Sequence, residues 1–423
     1  MNLKSISHLP KELRDLVNLS LELLGEGIKS QYGESIYHEV EFIRTEYKKL
    51  RKSSDQKKVE AHQRLFKRLK GKKSQVKIKV AHSFALGLEL INVCENAYRS
   101  FRLENKSQTK DLKKLDNTIT FVLTAHPTEA RSSQTIALLN RVIEIMYKGL
   151  VAGDAGEEYK RELYHCILLL LKLPVSKTKN PTPADEAEYI YSTIFKPEIL
   201  DKQIDLLQNH QALFIRTWVG GDKDGHPGIN EKVMLKSLNQ SRQYLIKSVE
   251  EYVLECQMGV ELVSGNKDVS RLRKRIKGLP IHLRRLTVIE VGDGRRLRNF
   301  YFTLQKLSVM YKKVVGVESP HLKKIREVLE LFPGMCVPLE IREDSEVVAK
   351  AINQKDLPIA KMLNLLKKIS SGGSANWYAR GFILSMCESI EDIVNGITLV
   401  KKQLRELDIP VVPLFETRKA LEE

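Results

Sequence analysis

No stretch of this 423-residue chain offers the roughly eighteen uninterrupted apolar residues that a membrane-spanning helix needs. The best run, CILLLLKLPV at 166–175, is short and carries a lysine. The opening MNLKSISHLPKELRDL has no apolar signal core and reads as the entry to an amphipathic helix. Cysteine is scarce. Cys94, Cys166, Cys256, Cys336 and Cys387 are odd in number, scattered, and form no CxxC pair. That speaks against a disulfide frame or a zinc site and for reduced thiols in a cytoplasmic protein. No G-x-G-x-x-G follows any candidate strand, so the dinucleotide fingerprint is missing.

What is present is length, helix periodicity and positive charge. With 42% hydrophobic residues, the chain can bury a large core. Its formal charge of +17 is compatible with nucleic acid, an anionic surface or small anionic substrates. Much of the excess lies in 48–79, KKLRKSSDQKKVEAHQRLFKRLKGKKSQVKIK, which reads as a solvated lysine-rich helical surface. Neither zinc-finger spacing nor an RNA-binding signature with stacking aromatics accompanies it, so no nucleic acid and no membrane partner is expected.

Residues 10–105 read as helices, with Val17, Leu21, Leu24 and Ile28 forming one apolar stripe. Similar periodicity recurs at 136–150, 159–172, 231–262, 321–332 and 389–406. KTKNPTPADEAE (177–188) reads as a loop with Asp185 or a neighbour opening the next helix, and VGDGRR (291–296) as a turn. Between the helices stand five β-like runs: TITFVLT (118–124), ALFIRTWV (212–219), CVPLEI (336–341), GFILSM (381–386) and IPVVPLF (409–415). Most are nearly continuously apolar, as expected of strands covered on both faces. The repeated order of strand, loop and helix suggests a parallel β/α barrel with chemistry at the strand C-termini; a doubly wound sheet is the competitor. Five strands fall short of the eight that closure needs. The expected organisation is a helical region over 1–115 and barrel strands with inserted helices over 116–423.

Polar groups gather at those strand ends. In FVLTAHPTEARSSQT, Pro127 biases His126 to extended backbone and stops a helix from running through it. Thr128 can cap the next helix, with Glu129 in its first turn. His126 is then either a structural residue or one presented for proton transfer. In WVGGDKDGHPGIN (218–230), Gly220 and Gly221 permit a sharp turn or close approach to a ligand. Asp222 and Asp224 could orient arginines or bind a hard cation, or the stretch is simply a surface loop. Arg342, directly after a strand, suits a phosphate or carboxylate, or an ion pair with a neighbouring acid. Glu416 at the tip of IPVVPLFET is a candidate metal ligand or base, or else a helix N-terminal acid.

Together these pieces resemble bacterial-type phosphoenolpyruvate carboxylase. TAHPTE (124–129), PTPADEA (181–187), WVGGDKDGHP (218–227), VPLEIREDS (337–345), FILSMCESIEDI (382–393) and VVPLFET (411–417) follow that family's order. LGEGIKSQYGESIYHEVEFIR (24–44) is similar to its N-terminal helices. The resemblance implies a helix-rich α/β protein around a TIM-type barrel of the phosphoenolpyruvate/pyruvate type, incomplete in this chain. It implies carboxylation of phosphoenolpyruvate by bicarbonate to oxaloacetate and phosphate, with Mg²⁺ (Mn²⁺ as the alternative ion). By motif, His126 would assist carboxyphosphate decarboxylation and position CO₂. Arg342 would stabilise phosphoryl charge, Gly221, Asp222 and Asp224 would belong to the substrate loop, and Glu416 would be one of two acidic metal ligands.

Three departures stand out. Ser132 and Ser133 occupy the places of the family's arginine pair, with only Arg131 nearby. Lys223 and His226 replace the usual arginine and asparagine. No match is found to the family's second metal carboxylate, catalytic lysine, glycine-arginine loop or effector site. The expectation is therefore an N-terminal half, completed by a C-terminal polypeptide or by self-association. The alternative is a degenerate, non-catalytic homologue acting as a binding or assembly subunit.

Overall fold

The computed structural model describes residues 9–50, 54–107, 119–124, 131–153, 156–176, 182–261, 265, 267–404 and 408–422. The chain divides into two compact units, Met1–Lys113 with Pro127–Asn180, and Lys114–His126 with Pro181–Glu423. The boundary expected at 115/116 lies outside the described residues.

The first unit is helical: α1 (Lys11–Tyr32), α2 (Glu34–Leu50), α3 (Asp55–Lys70), α4 (Ser74–Ser107), α5 (Ser133–Ala152) and α6 (Glu157–Leu170). The expected stripe holds, since Val17, Leu21, Leu24 and Ile28 are all buried in its core. α1 packs against α2, α4 and α6, and α4 against α5. Gly33, at φ 89°, stops α1 where a side chain would be strained. The lysine-rich helix α3 buries only Ala61 and Leu65 and leaves Phe66 exposed, a mostly solvated face. His82 on α4 is half-buried, with Nε2 2.9 Å from the Leu173 carbonyl and Nδ1 2.8 Å from the Tyr32 hydroxyl.

The second unit holds β1 (Ile119–Leu123), β2 (Leu213–Thr217), β3 (Leu339–Asp344), β4 (Ala379–Ser385) and β5 (Val411–Pro413). They form one parallel sheet in chain order, β1-β2-β3-β4-β5. All five expected strands are present, although β3 begins at Leu339 rather than at residue 336. Around them lie α7 (Pro183–Ile194), α8 (Pro197–Gln208), α9 (Glu231–Glu261), α10 (Lys267–Leu286) and α11 (Asp293–Val315). Further helices are α12 (Pro320–Leu331), α13 (Ser345–Ala351), α14 (Pro358–Ser370), α15 (Ile390–Leu404) and α16 (Arg418–Glu422). The strands are not covered on both faces as expected. Leu339, Ile341, Phe382 and Leu384 enter the core, whereas Ile119 and Phe121 on β1 are 56% and 54% exposed.

Two helix starts refine the sequence reading. α7 begins at Pro183, inside the expected loop, because Thr182 and Asp185 form a reciprocal capping box. α11 begins at Asp293, within the expected turn. In α10, Pro280 has no N–H for the Ile276 carbonyl, and Gln257 Nε2 on α9 donates to that oxygen instead at 3.2 Å.

The deepest polar contact joins α9 to α11. Arg242 and Asp293 are both fully buried, 2.7 Å apart. Arg242 also donates to the Leu286 and Gly334 carbonyls, and the Tyr378 hydroxyl donates to Asp293 Oδ2 at 2.8 Å. Removing one partner strands a buried charge. Asp293→Ala is expected to cost about 3–5 kcal/mol in urea unfolding. The double replacement Arg242→Met/Asp293→Leu should cost less, because no charge is left behind. A second expectation concerns pH. Burial holds the His82 imidazole below its usual pKa, so the fold favours the neutral ring. Stability should therefore fall as pH drops below about 6.5, where the unfolded chain takes up the proton first. His82→Asn should flatten that part of a melting-temperature profile.

Candidate active site

The site grows from the alternation of β3. Leu339, Ile341 and Glu343 turn to one side, and Glu340, Arg342 and Asp344 to the other. Arg342 is thereby presented at the C-terminal half of a parallel strand, where β/α proteins collect their functional groups.

The loop after β2 continues the sheet beyond the strand itself. Arg342 N–H donates to the Gly221 carbonyl and Lys223 N–H to the Arg342 carbonyl, both at 3.0 Å, and Asp222 bridges Arg342 in parallel register. Gly221 is obligatory at this crossing: a Cβ there would lie 2.3 Å from the Glu340 carbonyl oxygen. Gly220 takes φ 89° and lies against Ser237, whose hydroxyl donates to the Val219 carbonyl. The two aspartates then divide their work. Asp222 Oδ1 accepts from Gly225 N–H at 3.0 Å and closes the turn. Asp224 reaches Arg342 Nη2 at 3.3 Å.

Glu416 arrives from beyond β5. Its Oε1 lies 3.1 Å from Arg342 Nη2, and its Oε2 accepts from Met386 N–H at 3.0 Å. Met386, just past β4, holds φ 53°, a left-handed backbone that non-glycine residues rarely take. The Ser345 hydroxyl donates to its carbonyl and pins that geometry. The Arg342 guanidinium also lies 5.7 Å from the Trp218 ring centroid, and its Nε is buried without an acceptor.

Thus Arg342, Asp224 and Glu416, three of the residues singled out in the sequence, converge from three strand ends, while Gly221 and Asp222 shape the loop that delivers Asp224. Trp218 and Glu340 were missed: Trp218 Nε1 donates to Glu340 Oε2 at 2.8 Å beneath Arg342. Their signal was the two-residue alternation within FIRTW and LEIR. His126, Thr128 and Glu129 lie outside the described residues. In the first unit, Ser132 is the N-cap of α5, accepting from Thr135 N–H, and Arg131 is paired with Glu89. A groove of about 860 Å³ between α1, α2 and α4, floored by Leu21, Leu24 and Phe84, contains none of the anticipated residues.

The donor set does not make a magnesium cage. Among the described residues, no three His, Cys, Asp or Glu groups are placed to hold a metal ion. Glu416 is one acid, already tied to a guanidinium, where a hard cation wants several oxygen ligands.

A family model of phosphoenolpyruvate carboxylase matches residues 13–118 and 103–288. The chain belongs to the phosphoenolpyruvate carboxylase family. Curated relatives named phosphoenolpyruvate carboxylase support the assignment along the rest of the chain. That of Photorhabdus laumondii is 28% identical over 96% of this chain and 57% of its own length. That of Hahella chejuensis is 23% identical over 99% and 58%. That of Aliivibrio salmonicida is 27% identical over 58% and 32%. The chain thus spans well under two thirds of the relatives it matches. The family-model match stops at residue 288, short of Arg342 and Glu416. No helix among the described residues is long and apolar enough to cross a membrane.

Gly221→Ala tests whether the loop crossing organises the site. A methyl group against the β3 backbone should cost about 1–3 kcal/mol in denaturant unfolding. An unchanged midpoint would show that the loop and β3 can separate freely.

Proposed function

We propose that this chain carries the N-terminal part of a phosphoenolpyruvate carboxylase site in the first strands of a TIM-type barrel. The observation that carries this reading is the convergence of Arg342, Asp224 and Glu416 at the strand ends, beneath the glycine loop of a family member. In the reaction so inferred, a bicarbonate oxygen attacks phosphorus and the bond from phosphorus to the enol oxygen breaks. Carboxyphosphate and the enolate of pyruvate result. Carboxyphosphate then releases CO₂ and phosphate, and the enolate carbon captures CO₂ to give oxaloacetate. Arg342 would take phosphoryl charge with its fixed fork of donors, and His126 would assist decarboxylation and position CO₂. Mg²⁺, or Mn²⁺, would supply charge neutralisation, with Glu416 one of its ligands; the other ligands must come from elsewhere.

The remaining strands would come from a C-terminal polypeptide or from self-association. In support, neither β1 nor β5 pairs with a further strand among the described residues. Ile119, Phe121 and Val412 leave apolar surface at those margins. The second reading is a non-catalytic homologue acting as a binding or assembly subunit. It is favoured by Ser132, a helix cap at one of the two positions where the family has its arginine pair, and by the nearby Arg131, which is tied to Glu89.

Bicarbonate-dependent oxaloacetate formation decides between them. It is measured on this chain alone and mixed with a polypeptide supplying the remaining barrel strands. Activity is expected in the mixture, and none in either sample favours the binding subunit. Arg342→Gln should lower kcat/KM by about 10²–10³-fold, the usual loss for one transition-state charge donor. His126→Asn should suppress carboxylation more than phosphoenolpyruvate binding, and an unchanged rate would remove His126 from the mechanism.

A further inference from the structure

One residue pair behind Arg342 is out of charge balance. Glu340 shares Arg342's face of β3, one alternation step toward the N-terminus. Its two oxygens are spoken for: Oε1 lies 3.2 Å from Arg216 Nη1 on β2, and Oε2 receives Trp218 Nε1. Arg380 stands next to them on β4. The register between β3 and β4 runs Leu339↔Ala379 and then Glu340↔Gly381, so Arg380 is the extra residue of a β-bulge. Bulges re-aim side chains, often near functional sites. Arg216 Nη1 approaches the Arg380 carbonyl at 3.4 Å, and the Arg380 guanidinium lies 5.0 Å from the Phe214 ring centroid.

Among the described residues, no carboxylate pairs with Arg380, and Arg216 Nε is buried without an acceptor. Burial first, and the neighbouring Arg216 charge second, hold the Arg380 pKa below its usual value. Arg216 therefore has Glu340 as its counter-charge while Arg380, half-buried against Phe214, has none, and one negative charge is missing. Arg342 contrasts with them, since Asp224 and Glu416 both neutralise it.

We propose that Arg380 and Arg216 form a second oxyanion site, separate from Arg342, that takes a small phosphate-bearing molecule. The Phe214 ring steadies the plane of the Arg380 fork and leaves its edge donors free. Two forks can share the three oxygens of a phosphate group, which exceeds what one carboxylate offers. This inference does not depend on the carboxylase reaction.

The test is calorimetric titration of inorganic phosphate into the full chain, with acetate in parallel. Phosphate binding is expected, weakened about tenfold or more by Arg380→Gln, as for loss of a charged hydrogen bond. Arg342→Gln should leave that binding event in place. Arg380→Lys keeps the charge, loses the fork, and should bind less tightly than the parent. Circular dichroism of each variant verifies folding. Three results overturn the proposal: no phosphate binding by the parent chain, binding unchanged in both Arg380 variants, or binding lost only with Arg342→Gln. Acetate binding as tightly as phosphate would overturn the assignment of ligand class.

Discussion

The buried Arg242–Asp293 pair is the contact on which the second unit's geometry turns. Two charges without solvent are costly, and they persist because neighbouring polar groups engage them. Those groups are the Leu286 and Gly334 carbonyls and the Tyr378 hydroxyl. Gly334 and Tyr378 belong to the segments leading into β3 and β4, and Leu286 ends α10. Ser241, next to Arg242 on α9, adds a second clamp by accepting from Val337 N–H at 2.7 Å. Gly334 lies so close to the Trp377 carbonyl that a Cβ would sit 2.2 Å from its oxygen. The N-terminal ends of the two central strands are thus held by hydrogen bonds with direction, where an apolar core alone would specify little beyond volume.

From that fixed start, strand alternation carries position forward to the candidate site. Two residues separate Leu339 from Arg342, and the parallel register sets both against β4. At the far end the backbone of Gly221 and Lys223 holds both the N–H and the carbonyl of Arg342 from one edge, with β4 along the other. The left-handed Met386 belongs to the same economy: a strained backbone is tolerated where its N–H meets a carboxylate and its carbonyl meets Ser345. A rigid sheet thereby holds groups drawn from positions as distant in sequence as 224 and 416.

Much of this was legible in the sequence because it obeys short periods. The stripe of α1 follows from helical spacing, and the five strands from short apolar runs that each end in polar residues. Pairing is a different kind of information. Nothing local tells that Asp222 serves its own turn while Asp224 crosses to Arg342, since both are acids in one tight loop. Arg242 sits in a long helix where an arginine would ordinarily face water, and only the arrival of Asp293 makes its burial tolerable. Ser132 reads as a lost arginine against the family and as a helix cap in the structure. Arg380 is the plainest case: its direction depends on a bulge in the register with β3, a relation between strands that neither strand encodes by itself.

Charge balance links these observations. Arg342 meets two carboxylates, so a phosphoryl group approaching it must displace them or bring positive charge of its own. On the carboxylase reading, this is why the arginine cannot suffice by itself. Further cationic groups or a divalent ion have to reach the same strand ends before the phosphoryl oxygens outcompete Asp224 and Glu416. Deeper in the sheet the imbalance is reversed, with Arg380 unmatched beside Glu340. The two layers therefore ask for opposite things. The upper one is short of positive charge and the lower one of negative charge, and whatever completes the sheet face has to satisfy both.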